Sequence, residues 1–144
     1  MKTIFLNHFI ILFFLLQSCN KQPDITITEI RYGSQFGMCE GYCYSEVIYN
    51  KKSEINIKKA WRDTINNPTA TELKKIEYTK WESLTNSINL SDFYALDNRL
   101  GCPDCADGGE SWVDIKTKTK SYRVSFEYGV TPKPLKKLVE LIND

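Results

Sequence analysis

The sequence is nearly without histidine, with His8 alone among 144 residues, and it has no charge excess, with 19 Lys and Arg against 18 Asp and Glu. It shows no internal repeat and no low-complexity run, and its longest unbroken apolar stretch, Phe9 to Leu16, is far below the roughly 20 residues of a membrane-crossing helix. Each absence excludes something. Without a basic excess, sequence-independent binding to nucleic acid lacks the cations that neutralise phosphates. His8 lies in a segment read below as removed, so hydrolytic triads and zinc-protease helices, which need imidazole, have nothing to draw on. The carboxylates Asp92, Asp97, Asp107, Glu110 and Asp114 are available for glycoside cleavage, but the sequence sets no distance between them, and a chain this short seldom encloses a sugar cleft.

What is present begins with an address. Met1-Lys2-Thr3 is a short basic start, and Ile4 to Leu16 is apolar except for Asn7 and His8, as in a secretory signal. Leu16-Gln17-Ser18-Cys19 resembles the bacterial lipobox, which implies cleavage before Cys19 and acylation of its sulfur. The expected organisation is a signal peptide over 1–18, a lipidated Cys with a short tether over 19–23, and one domain over 24–144. Loss of 1–18 removes Lys2, His8 and four of the seven Phe, leaving 18 basic and 18 acidic residues. Acyl chains contribute about 0.8 kcal/mol per buried CH2, so the bilayer is a partner through acylated Cys19. Asn20 to Pro23 reach only about 14 Å, which keeps the domain near the membrane. Asn20 stands where enteric-type sorting places Asp to retain lipoproteins in the inner membrane, and 21–24 lack an acidic cluster of the kind that follows the Cys of surface-bound lipoproteins. By analogy the expected location is the cell envelope, at the outer membrane and facing the periplasm.

In the domain, Asp24 to Ile30 alternates with period two and predicts a strand. Gly33 to Cys43, with three glycines, reads as a loop. Tyr44 to Tyr49 and Glu54 to Trp61 form a candidate hairpin, with Val47, Tyr49, Ile55 and Ile57 inward, and Leu73 to Tyr78 is a further short strand. Thr79-Lys80-Trp81-Glu82 has the form of a capping box, followed by an apolar face of Trp81, Leu84 and Ile88, and a second short turn capped by Ser91 carries Phe93 and Leu96. Ser111 to Thr117 and Ser121 to Tyr128 give the clearest strand pair, with Val113 and Ile115 opposite Tyr122, Val124 and Phe126. Thr131-Pro132-Lys133-Pro134 opens a closing helix with Leu135, Leu138, Val139 and Ile142 on one face. The expectation is an α+β fold: an antiparallel sheet of five to six strands with two helices packed on one face, and loops held by disulfides.

Cys39-Glu40-Gly41-Tyr42-Cys43, the turn Phe93-Tyr94-Ala95-Leu96 and the hairpin from Trp112 to Tyr128 before a closing helix resemble a family of bacterial secreted and lipoprotein domains of unassigned activity. Tyr44 stands where members of that family usually have Pro. The resemblance spans most of residues 24–142 and implies fold and export route, with no activity to carry over.

With Cys19 acylated, Cys39, Cys43, Cys102 and Cys105 remain, an even number in an oxidising compartment, and four cysteines allow three pairings. Chain entropy favours a cross-pair, worth roughly 4 kcal/mol against roughly 2 kcal/mol for a local one. The family resemblance instead implies Cys39 with Cys43 as a unit. The redox alternative rests on Cys102-Pro103-Asp104-Cys105, similar to the glutaredoxin-type motif, but Asp104, Asp107 and Glu110 surround it with charge that raises a thiol pKa. A four-thiolate zinc site has ligand spacing within each pair, but the separation between pairs exceeds that of a zinc ribbon. Asp104, Asp107 and Glu110 with Gly108 and Gly109 do not follow the EF-hand spacing for calcium, and Lys116, Lys118, Lys120, Lys133, Lys136 and Lys137 read first as solvated charge. No cofactor is expected. Tyr32, Phe36, Tyr42 and Tyr44 gather around the Cys39/Cys43 loop, and such amphipathic rings are common at recognition surfaces. The expected function is a non-enzymatic binding domain for an envelope protein or glycan, with a thiol-disulfide protein as the alternative.

Overall fold

The computed structural model describes residues 25–144; the expected signal peptide, the expected lipidation of Cys19 and the expected tether lie outside the described residues. Seven strands form one sheet: β1 (Ile27–Gln35), β2 (Tyr42–Tyr49), β3 (Ser53–Ala60), β4 (Ala70–Lys75), β5 (Arg99–Leu100), β6 (Glu110–Thr117) and β7 (Ser121–Glu127), in the order β4-β3-β2-β1-β6-β7-β5. Three α-helices are described, α1 (Tyr78–Asn86), α2 (Leu90–Tyr94) and α3 (Lys136–Asn143), with 3-10 turns at Cys105–Asp107 and Lys133–Leu135. This corrects the expected five to six antiparallel strands and two helices. β5 pairs parallel to β7, Arg99 with Ser125 and Leu100 with Phe126, so the sheet is mixed. A two-residue strand has no periodicity to read, and the five residues of α2 give the sequence pattern of a turn.

The core occupies one face of the sheet. Ile30 of β1 lies between Tyr49 of β2 and Ile115 of β6, and Val113 faces Val124 of β7, the register expected for the β6–β7 hairpin. Against these pack Trp81 and Leu84 of α1, Phe93 of α2, Leu135, and Leu138 and Val139 of α3. Burial of this apolar surface at about 25 cal/mol per Å² is the main stabilising term.

Three local expectations are corrected. Gly33-Ser34-Gln35, read as loop, is strand, paired with β2 on one side and β6 on the other. α1 starts two residues before the capping-box reading, with Glu77 in place of Thr79 as N-cap and making no side-chain hydrogen bond. Thr79 therefore lies inside the first turn, where its carbonyl accepts from the Ser83 hydroxyl at 2.8 Å, and the Glu82 carboxylate accepts from the Tyr78 hydroxyl instead of reaching back. α2 is capped by Asn89, whose side chain accepts from the amides of Ser91 and Asp92, so Ser91 is a capped residue and not the cap.

The strand axis sorts the connections to two ends. At one end lie the start of β1, the β2–β3 and β6–β7 turns and the end of β4. At the other lie segments 36–41, 61–69, 101–109 and 128–132. Both sheet edges are blunted: β4 is exposed throughout and carries Lys74 and Lys75, and β5 has two residues.

Candidate functional site

Both cysteine pairs close locally, Cys39 to Cys43 with Cα atoms 5.7 Å apart and Cys102 to Cys105 at 5.4 Å. The higher chain-entropy gain of a cross-pair is not taken, and four free thiolates for zinc do not exist. The two loops are nevertheless neighbours: a Cβ on Gly37 would lie 3.4 Å from the Asp104 carboxylate.

The surroundings of Cys102-Pro103-Asp104-Cys105 bear on its chemistry. Only a 3-10 turn follows, and Asp104, Ala106 and Asp107 all have positive φ, at 59°, 49° and 57°. No helix N-terminus is therefore aimed at either sulfur, the device that lowers a thiol pKa in redox motifs. The Cys102 amide donates to the Glu127 carboxylate at 2.8 Å, and the Arg99 guanidinium donates to the Pro103 carbonyl at 2.8 Å, tying the loop to β7 and β5.

The four aromatic candidates separate. Tyr32 lies on the helix-covered face, where its hydroxyl interacts with Ser111 and Asn143 and burial raises its pKa. Phe36 stands edge-on to Tyr128, ring centroids 4.7 Å apart, at the disulfide end. The Tyr42 hydroxyl donates to the Pro68 carbonyl at 3.0 Å, joining the Cys39/Cys43 loop to the β3–β4 connection. Tyr44 points to the opposite face from Tyr32, and it is there that a group of functional side chains assembles.

That face has no described helix over it, yet Trp112 in its middle is only 1% exposed. Gly33 is the reason. It sits on β1 directly between Glu46 of β2 and Trp112 of β6, and a Cβ there would overlap the indole and come within 2.8 Å of the Ser45 carbonyl. With only hydrogen at that position the indole lies across β1, and its Nε1 donates to Glu46 Oε1 at 3.4 Å. Glu46 is 7% exposed. The Tyr44 hydroxyl also hydrogen-bonds Glu46. Burial, with the neighbouring Glu46 charge and that bond, pushes the Tyr44 phenol up to about 12.

Aromatic rings and cations continue outward from this centre. Tyr44 contacts Trp112 at 5.4 Å and Trp61 at 5.8 Å between centroids. Lys59 lies 4.7 Å over the Tyr44 ring and Arg123 5.2 Å over Trp112, distances at which a cation is attracted to a ring face. Arg123 also meets Asp114 at 3.4 Å, and Arg31 meets Glu29 at 2.7 Å. Burial opposes the Arg31 charge, but the bond to Glu29 and the charges of Glu29, Glu46 and Asp114 more than offset it and raise its pKa. Trp61, 46% exposed, closes the row, and its Nε1 donates to the Phe36 carbonyl at 3.1 Å. The site thus runs from the open face to the disulfide end.

No protein-family model and no curated protein matches the chain. The likeness to secreted and lipoprotein domains therefore rests on the residues quoted for it.

Sequence reasoning missed Trp61, Trp112, Glu46, Lys59 and Arg123 as parts of one site. A signal was present for Trp112: it alternates with Asp114 and Lys116, which puts a large ring on the polar side of a strand. For Glu46 none was, because its partner comes from β6 across a glycine.

Proposed function

We propose that the protein is a non-enzymatic binding domain of the cell envelope, anchored through acylated Cys19, which takes an envelope protein or glycan on the open sheet face and adjoining disulfide end. The observation that carries this reading is the pair of accessible rings Trp61 and Tyr44, backed by the buried Trp112, held by Glu46 and flanked by Lys59 and Arg123. Rings with a locked orientation lose little rotamer entropy on contact, and flanking cations add polarity at the rim, a combination typical of recognition surfaces. A thiol-disulfide activity has less support, since its motif lacks a helix N-terminus and keeps Glu127 beside Cys102. The test is photo-crosslinking of the full chain in envelopes, comparing the natural sequence with a Trp61→Ala, Tyr44→Ala variant. Crosslinks should fall at least several-fold while circular dichroism stays unchanged. Undiminished crosslinking by the folded variant removes this surface as the binding site.

A further inference from the structure

We infer that the domain stands on its basic end, with the lysines around the start of β1 facing an anionic phospholipid bilayer and the disulfide end pointing away. The orientation rests on the anchoring at Cys19 proposed above; the charge pattern does not.

Three observations converge. First, the chain enters the domain at that end, because Ile27 pairs with Thr117 and the Thr28 hydroxyl donates to the Lys116 carbonyl at 3.1 Å. Second, the two ends differ in sign. Segments 27–29, 49–54, 75–77 and 116–121 contain six lysines, at 51, 52, 75, 116, 118 and 120, against three carboxylates, Glu29, Glu54 and Glu77. The opposite segments, 36–41, 61–69, 101–110 and 127–132, contain six carboxylates against Arg62 alone. Lys133, Lys136 and Lys137 follow at that second end and temper its charge without reversing it. A chain with balanced charge is therefore polarised along its strands. Third, two of the basic-end lysines rest on rings: Lys51 is 5.7 Å from the centre of Tyr78, and Lys120 is 3.8 Å from that of Tyr94 and 5.3 Å from that of Tyr122.

The lengths fit. Residues 19–24 can span at most about 20 Å, short enough that an anchored domain can bring these lysines to within the roughly 8 to 10 Å Debye length of the headgroups. β1 has nine residues, and at about 3.3 Å each it sets the disulfide end roughly 30 Å farther out, beyond the surface potential. Each lysine near an anionic surface raises the partition coefficient about fivefold.

The experiment is lysine footprinting of the purified full chain, with an acylating reagent and peptide mass readout, on phosphatidylcholine vesicles with and without phosphatidylglycerol. Lys51, Lys52 and Lys116 should label several-fold less on the anionic vesicles and regain labelling in high salt, with Lys133, Lys136 and Lys137 unchanged. Lys51→Gln with Lys52→Gln should lower the vesicle partition coefficient roughly 25-fold at low salt if the chain is not acylated, and should weaken the protection of Lys116 if it is. Equal labelling on both vesicles, or protection of 133–137 instead, overturns the inference. The intact mass of the same sample separately reports acylation at Cys19, so loss of the anchor reading and loss of the basic-end reading are distinct results.

Discussion

Gly33 and Glu46 show how much one small and one charged residue control on the open face. The glycine lets the Trp112 indole cross β1, and the carboxylate at the far side receives both that indole and the Tyr44 phenol. A phenol in this position is held neutral. Tyr49 shares the property, its pKa pushed up to about 12 by burial and by Glu54. Both phenols have folded pKa values above the unfolded value near 10, so the stability they lend is fully present below pH 10 and is lost as pH rises through about 12. Denaturant midpoints measured across this interval should fall with pH, and the fall should be shallower in a Tyr44→Phe, Tyr49→Phe variant. An equally steep fall would show that other groups govern alkaline stability.

Among the elements, the β6–β7 hairpin was legible because Val113 and Ile115 alternate against Tyr122, Val124 and Phe126, and Val113 meets Val124 and Ile115 meets Tyr122 while Phe126 lies opposite Ser111. The end of β1 was not, because Gly33 has the signature of a turn while serving as space for a ring from another strand. Capping divides the same way. Thr79 to Glu82 has the spacing of a capping box, yet the helix begins earlier, and the side chain that caps is Asn89 at α2. Asn89→Ala should therefore cost about 1 kcal/mol, while Thr79→Ala should stay within about 0.5 kcal/mol. Urea unfolding of the two variants decides it, and a reversed order would restore the capping box. The site was half legible: Tyr44 and Phe36 stand out by their place beside the Cys39/Cys43 loop, but their link through Trp61 depends on a strand pairing that places Lys59 beside Tyr44.

At the scale of the whole molecule, the two disulfides decorate one end and join no separate parts of the core. Cys39–Cys43 and Cys102–Cys105 each close a loop of a few residues, worth roughly 2 kcal/mol in the chain-entropy model. Replacing each pair by alanines should lower stability by about that amount, near-additively. The packing of Ile30, Leu84, Phe93 and Val124 should remain intact, as read from the near-ultraviolet dichroism of the core aromatics. Collapse of that signal on loss of either pair would assign the bonds a role in the core itself.

The central position of β1 has a mechanical consequence. β1 is bonded to β2 on one side and β6 on the other over most of its length. A pull between its first residues and a partner held at the far loops runs parallel to the strands. In that shear geometry both ladders bear the load together, whereas a pull across the sheet would open hydrogen bonds one after another. Resistance to force is set by the unfolding rate under load and not by equilibrium stability, and this topology assigns the slow mode of failure to pulling along the strands, the direction in which the anchoring and binding proposed above would load the domain.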